Sequence, residues 1–337
     1  MTQTLTPRRP QSGGSAIETL QALLADDLEA VERLLVARAA SPVAMIPDMS
    51  GYIVGAGGKR LRPMVTLAAA HVAGGATPAT HALATAVEYI HTATLLHDDV
   101  VDDSDLRRGK RAAKHVWGNS GSILVGDFLF ARAFTLMVET GSLEILDILS
   151  HASTVIAEGE VRQLAAQGRL DLPTEDYLAI IEAKTAALFE AAARAGALSG
   201  GSETLADPLA AYGKNLGLAF QIVVDALDYG GTTAVIGKSV GDDFREGKLT
   251  MPVIIARRRG SDEDKAFWDR AMNVETRKEG DLAHAIHLIR ATGAAEATIA
   301  EARAYASLAK QALHAVPASE YRDVLDTLAD FTVSRVS

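Results

Sequence analysis

Cysteine is absent from all 337 residues, which excludes disulfides and thiolate chemistry and suits a reducing compartment. Positive charge is not in surplus either. With 33 Lys and Arg against 43 Asp and Glu the net charge is −10, so the chain lacks the basic surface that nucleic acid requires. No uncharged run approaches the roughly 20 residues needed to span a bilayer. The opening stretch MTQTLTPRRPQSGG also lacks the apolar centre of a secretory signal. A cytoplasmic protein without a transmembrane segment is expected, one that an apolar product would draw towards membranes. Strand-like alternation of apolar and polar residues is nowhere convincing. What the chain does have is 48% hydrophobic and 23% charged residues, the balance of a globular protein with a substantial core.

Residues 1–14, rich in Thr, Pro, Arg, Ser and Gly, read as a disordered tail. Ser15 to Glu18 is a capping-box pattern that opens an amphipathic helix to about Ala39. Helical periodicity then dominates, with segments near 59–73, 78–104, 121–139, 142–167, 174–199, 204–229, 250–259, 262–272, 276–292, 294–315 and 318–332. Breaks with turn chemistry separate them at Gly74-Gly75, Gly118-Asn119, Gly200-Gly201, Gly230-Gly231 and Thr292-Gly293. Alanine runs such as Ala68–Ala70 and Ala191–Ala193 favour helix and permit close helix packing. No linker interrupts the pattern, so residues 15–337 are expected to form a single-domain, all-α helical bundle.

The most informative segment is LLHDDVVDDSDLRRGK, Leu95–Lys110. On a helix, Asp98 and Asp102 are four residues apart and project from one face, where they can bridge divalent cations. Magnesium suits such a pair, because it is commonly held by one or two carboxylates plus the phosphate oxygens of a substrate. Arg107 and Arg108 add charges that never deprotonate and match phosphate oxygens. The rival reading is a solvated acidic helix end. Against it, the apolar stretch Ile90–Leu96 faces a core and sets the charges at a cavity rim.

A second acidic segment, FQIVVDALDY, carries Asp225 and Asp228 three residues apart between apolar neighbours. Buried carboxylates need a cation or a metal, and a structural salt bridge is the competing explanation. Beyond it, in GKSVGDDFREGKLTMP, Lys238 and Lys248 flank an acidic pair. Lysine is a point-charge phosphate ligand and Asp243 can orient metal-bound water, although such a loop also reads as a charged surface turn. In GGKRLRP, Lys59 and Arg62 open a helix whose N-terminus itself favours anions, while Arg60 faces elsewhere as a solvated or structurally paired residue. His91, two turns before Asp98, either reaches a phosphate or is a core histidine. Lys184 and Thr185 sit mid-helix in EAKTAALFEAA, where an inward cation competes with snorkelling to solvent.

Together GGKRLRP, HTATLLHDDVVDDSDLRRGK, VGDF, EGEVRQL, KTAALFEAA, FQIVVDALDY and GKSVGDDFREGKLTMP resemble, in order and spacing, the motifs of the trans-isoprenyl diphosphate synthase (polyprenyl synthetase) family. The resemblance runs from Gly57 to the C-terminus. It implies helices around a central cavity, usually a homodimer, and magnesium-dependent elongation of an allylic diphosphate of the farnesyl or geranylgeranyl type by isopentenyl diphosphate. By position, Asp98 and Asp102 correspond to ligands of two magnesium ions, with Asp99 in support. Arg107, Lys184, Thr185, Gln221, Lys238 and Lys248 correspond to the allylic diphosphate site. Lys59, Arg62, His91 and Arg108 correspond to the isopentenyl diphosphate site.

One position departs from the family. Its second acidic motif is usually Asp-Asp-x-x-Asp, and Val224 stands where the first aspartate supplies a ligand to a third magnesium ion. Binding of that ion is expected to weaken, to shift to Asp225 or Asp228, or to lean on Asp243. Short-chain relatives often carry an aromatic four or five residues before the first aspartate. Here Thr94 and Ala93, with Ile90, leave that space open, and Phe134 and Met137 are candidates for the tunnel floor. By family analogy the product is then long, about eight to ten isoprene units. A class I terpene cyclase would lack the Lys59/Arg62 pair and the GKxxGDDxxEGK loop. A partner-dependent, non-catalytic subunit is suggested by Val224 and opposed by the intact first motif and both lysines.

Overall fold

In a computed structural model that describes residues 16–230 and 240–334, the chain begins with α1 (Ala16–Leu23), α2 (Ala25–Arg38), α3 (Met45–Val54), α4 (Leu61–Ala73) and α5 (Pro78–Val101). A two-residue ribbon, β1 (Leu106–Arg107) against β2 (Lys110–Arg111), leads into α6 (Lys114–Glu139) and α7 (Leu143–Ala166). Next come α8 (Thr174–Ile181), a π-turn (Glu182–Ala186), α9 (Ala187–Ser199) and α10 (Ala206–Gly230). The short α11 (Asp242–Arg245) precedes α12 (Met251–Arg259), α13 (Asp262–Ala271), α14 (Asp281–Ala291), α15 (Ala294–Ala312) and α16 (Glu320–Ser334). The expected all-α bundle is what forms.

Local chemistry explains the ends of several helices. Thr77 caps α5: its hydroxyl accepts from Thr80 N, the Thr80 hydroxyl accepts from Thr77 N, and Pro78 holds the first helical position. Ser142 caps α7 more simply, its hydroxyl accepting from Ile145 N. The expected break at Gly118 is a kink inside α6, where φ is 79° and ψ 165°. Periodicity did not mark α3, whose first turn contains Pro47 and whose middle contains Gly51. The expected opening helix is interrupted at Leu24, and its capping residue Ser15 lies outside the described residues.

Burial decides the layers. Residues 82–90 of α5 are buried on every side, and α10 is nearly as enclosed. α2, α4, α6 and α9 surround α5, while α9, α12, α15 and α16 surround α10. Small residues let these helices approach closely. A Cβ on Gly196 would lie 2.3 Å from Thr66 O, and one on Gly213 would lie 2.3 Å from Phe189 O. Among the described residues α6 alone is long and apolar enough to cross a bilayer by length and composition. Asp127 and Arg132 interrupt its apolar run, and here it packs along α5 as a helix of the bundle.

Candidate active site

The two central helices end in carboxylates. Asp98 lies in the last turn of α5 and Asp102 caps it, while Asp225 lies near the end of α10. A helix C-terminus is the negative end of the macrodipole, so these groups are mutually unfavourable without cations. Asp98, Asp102 and Asp225, with Asp243 of α11, line one cavity of about 370 Å3.

Lysines meet the first pair. Lys248 Nζ donates to Asp102 at 2.7 Å and also contacts Glu246 at 2.7 Å. Lys184 Nζ stands 2.7 Å from Glu160 and 3.6 Å from Asp98. Burial opposes the Lys184 charge, but Asp98 and Glu160 outweigh it and hold the ammonium above its usual range. Burial, then the charge of Asp98, pushes the Glu160 carboxyl up.

The α10 side keeps a surplus of negative charge. Asp225 accepts from Tyr177 Oη at 2.6 Å and from Gln221 Nε2 at 2.7 Å, and Thr185 Oγ1 donates to Gln221 Oε1 at 2.9 Å. Burial, then the Asp243 charge, still pushes Asp225 up to about 7. The same two causes push Asp228 up to about 8. Val224 lines this wall beside Asp225 and adds no charge.

Guanidinium groups and His91 form the opposite side. Arg62 is half-buried in the cavity wall, 4.4 Å from the centre of the Phe189 ring, and its Nε makes no hydrogen bond among the described residues. Burial lowers it to about 10. Burial, then Arg62 and Arg108, keeps His91 well below its usual value, so the imidazole is neutral. Arg107 lines the cavity while its guanidinium is pinned by Asp99, at 2.5 Å from Nη2. Arg108, at φ 53°, donates to Gly57 O and so ties the ribbon to the GGKRLRP loop. In that loop Arg60 is structural: it pairs with Glu32 at 2.6 Å and with Glu88 at 2.8 Å.

Lys184 and Thr185 owe their position to the π-turn, whose extra residue redirects side chains relative to a regular helix. α7 crosses this turn at Gly159, where a Cβ would fall 2.8 Å from Ala183 Cβ and 2.9 Å from Lys184 N. Gly159→Ala should therefore push the turn aside, lowering stability by roughly 1–3 kcal/mol and cutting turnover. Thermal melting and steady-state rates read the two effects.

A second cavity, about 740 Å3, continues from the first and shares Thr94, Asp98 and Glu160 with it. Three helix faces wall it at i, i+3, i+4, i+7 spacing: Thr94, His97, Asp98 and Val101 of α5; Asp127, Phe130, Ala131 and Phe134 of α6; Ser153, Ile156, Ala157 and Glu160 of α7.

Most expected site residues converge. Arg62, His91, Asp98, Asp102, Arg107, Arg108, Lys184, Thr185, Gln221, Asp225, Asp243 and Lys248 all line the first cavity. Others do not. Asp99 is buried against Arg107 away from the cavity lining. Asp228 accepts from the backbone N–H groups of Asp242 and Asp243, both at 3.2 Å, and so holds α11 in place instead of facing the cavity. Lys59 is exposed near the Phe331 ring, 5.7 Å from its centre. Lys238 lies outside the described residues. Of the expected tunnel residues, Thr94 and Phe134 line the second cavity, whereas Ile90, Ala93 and Met137 are wholly buried and line neither. Sequence reasoning missed Glu160, Tyr177 and the His97–Asp127 pair at 3.3 Å.

A helical cage that sets acidic helix ends and half-buried cations around one chamber, with a second, more apolar chamber adjoining it, defines an enzyme for a charged head joined to an extended tail. Comparison with known proteins agrees, and the chain belongs to the polyprenyl synthetase family, whose model matches residues 43–289. It is 41% identical over 324 residues to the octaprenyl diphosphate synthase of Escherichia coli K12, covering 95% of this chain and 99% of that protein. A polyprenyl synthase from Caulobacter crescentus CB15, solved with calcium and isoprenyl diphosphate, is 52% identical with a TM-score of 0.93, covering 98% of this chain and 100% of that one. A decaprenyl diphosphate synthase from Rhodobacter capsulatus is 49% identical with a TM-score of 0.90, covering 95% and 99%. The fold is that of the all-α isoprenoid synthases, and the chain is a prenyltransferase.

Proposed function

We propose that this prenyltransferase, which elongates an allylic diphosphate to a long-chain all-trans polyprenyl diphosphate, works across the two connected cavities. The observation that carries the reading is their junction: a charged chamber opens directly into one walled by Phe130, Phe134, Ile156 and Ala157. The diphosphate of the allylic substrate sits between the acidic helix ends and Lys184 and Lys248, and its tail lies in the second cavity. Isopentenyl diphosphate takes the side of Arg62, His91 and Arg108, all of which line the first cavity. The α5–α6–α7 walls exclude water from the growing chain. Holding the two substrates side by side makes carbon–carbon bond formation effectively unimolecular. A proton then leaves to the released diphosphate, and the lengthened chain re-enters the cycle.

Magnesium fits the residues present. Asp98, Asp102, Asp225 and Asp243 are hard oxygen donors around one space, and the Asp243 charge disfavours the charge of buried Asp225, a repulsion that a divalent ion relieves. When bound, the ions supply neutralisation of charge on the departing diphosphate. Chelation should abolish turnover and added magnesium restore it. Added magnesium should also raise the melting temperature, because it binds the folded site and relieves the repulsion between Asp225 and Asp243, which Lys184 and Lys248 leave to their own partners.

Thr94→Phe should shorten the product. A phenyl ring fills roughly one helical turn of the tunnel, about 5 Å, so chains should end at least one isoprene unit earlier. Ala93→Phe, in the core, should cost stability instead. An unchanged length distribution for Thr94→Phe contradicts the tunnel assignment.

Exposed apolar residues along α6, among them Leu124 at 66% and Val138 at 63%, favour a homodimer through this face. The absence of cysteine favours a cytoplasmic location. The test of the function is incubation with magnesium, isopentenyl diphosphate and farnesyl or geranylgeranyl diphosphate. Long polyprenyl products support it. A cyclised hydrocarbon, or no product until another subunit is added, refutes it.

A further inference from the structure

Glu160 is, with Asp98, one of only two carboxylates among the described residues that line both cavities. It projects from α7 in EGEVRQL, a segment to which the reaction outlined above gives no chemical part. On one side its Oε2 accepts from Lys184 Nζ at 2.7 Å, and that ammonium stands 3.6 Å from Asp98 Oδ2. On the other side the cavity-facing side of its own helix continues without charge through Ala157, Ile156 and Ser153 into the tunnel, with Glu158 turned away from it. Glu160 thus stands where a polar head gives way to an apolar tail. In an allylic diphosphate laid across the two cavities, the atom at that boundary is C1.

We propose that Glu160 is a catalytic residue whose carboxylate faces the allylic cation and stabilises it while the C1–O bond breaks. This rests on the elongation reading above. The bond breaks heterolytically, with its electron pair leaving on the diphosphate and the positive charge shared between C1 and C3. The isopentenyl double bond then supplies the electrons of the new C–C bond. Lys184 helps the diphosphate leave, yet its ammonium is close enough to repel the cation that remains. Glu160 offsets that charge and adds an anion held in place by its bond to Lys184, the setting in which preorganised charge is effective.

The alternative is that Glu160 merely positions Lys184 or a metal ion, and two unreactive probes separate these roles. One is an allylic diphosphate analogue with an ammonium nitrogen in place of C3, a mimic of the cation. The other is the allylic thiolodiphosphate, which keeps the diphosphate but carries no positive charge in its tail. In magnesium-loaded Glu160→Gln, affinity for the ammonium analogue should fall about 10- to 100-fold. The thiolodiphosphate should stay within about threefold, and kcat should fall with KM for both substrates little changed. Equal weakening of both probes, or of neither, overturns the proposal. If melting shows that the amide variant does not fold, Glu160→Ser carries the same comparison. Turnover of the unaltered enzyme in the same assay reports separately on elongation, so its failure is distinguishable from failure of this proposal.

Discussion

Asp102→Asn is expected to elongate prenyl chains on the order of 1,000-fold more slowly than the unaltered enzyme. Asp102 caps α5 at the negative end of the macrodipole and faces Lys248 at 2.7 Å. Removing its charge subtracts a metal-binding oxygen at the point where the leaving diphosphate must be neutralised. The fold should survive, because Lys248 retains Glu246 and the amide still fits the site. Its neighbour Asp99 should behave in the opposite way. Asp99→Asn breaks a buried pair with Arg107 away from the cavity lining, so it should cost roughly 3–5 kcal/mol of stability. Steady-state rates and melting curves of the two variants make the contrast. Matching losses of turnover with unchanged melting would contradict the roles assigned here.

Val224→Asp should raise turnover on the order of 100- to 1,000-fold, the effect typical of restoring one charge-stabilising group. Val224 lines the cavity between Gln221 and Asp225 on the same face of α10. The remaining carboxylates there cannot readily take its place. Asp225 is occupied by Tyr177 and Gln221, and Asp228 by the N–H groups that open α11. A carboxylate at position 224 would face the cavity beside Asp243 without displacing any of these bonds. The rise should appear at saturating magnesium in kcat, since the added group stabilises departing charge. Equal turnover of the two proteins would show that a third ion plays no part in the rate-limiting step.

Much of this architecture could be read from residues alone, because period and caps are local. The kink at Gly118 and the breaks at Gly200 and Gly293 all follow from chemistry within a few positions, whereas the Thr77–Thr80 box went unread. The helix α3 was hidden by Pro47 and Gly51, and the π-turn leaves no mark in apolar spacing. Orientation was harder than existence. Ala93 and Thr94 are adjacent, yet only Thr94 faces the tunnel, since one residue rotates a helical side chain by about 100°. Asp99 and Asp228 belong to acidic motifs but serve Arg107 and α11, partners fixed by tertiary packing. Glu160 escaped notice because Glu158, Val161 and Arg162 give its surroundings the look of a solvated helix.

The central claim concerns one continuous space with a charged end and an apolar end. The most direct measurement is a crystal structure with magnesium and the uncleavable allylic thiolodiphosphate. The account predicts metal and diphosphate between Asp98, Asp102, Lys184 and Lys248, with the tail running past Thr94 towards Phe134. A tail directed elsewhere, or a diphosphate bound away from these carboxylates, would contradict it.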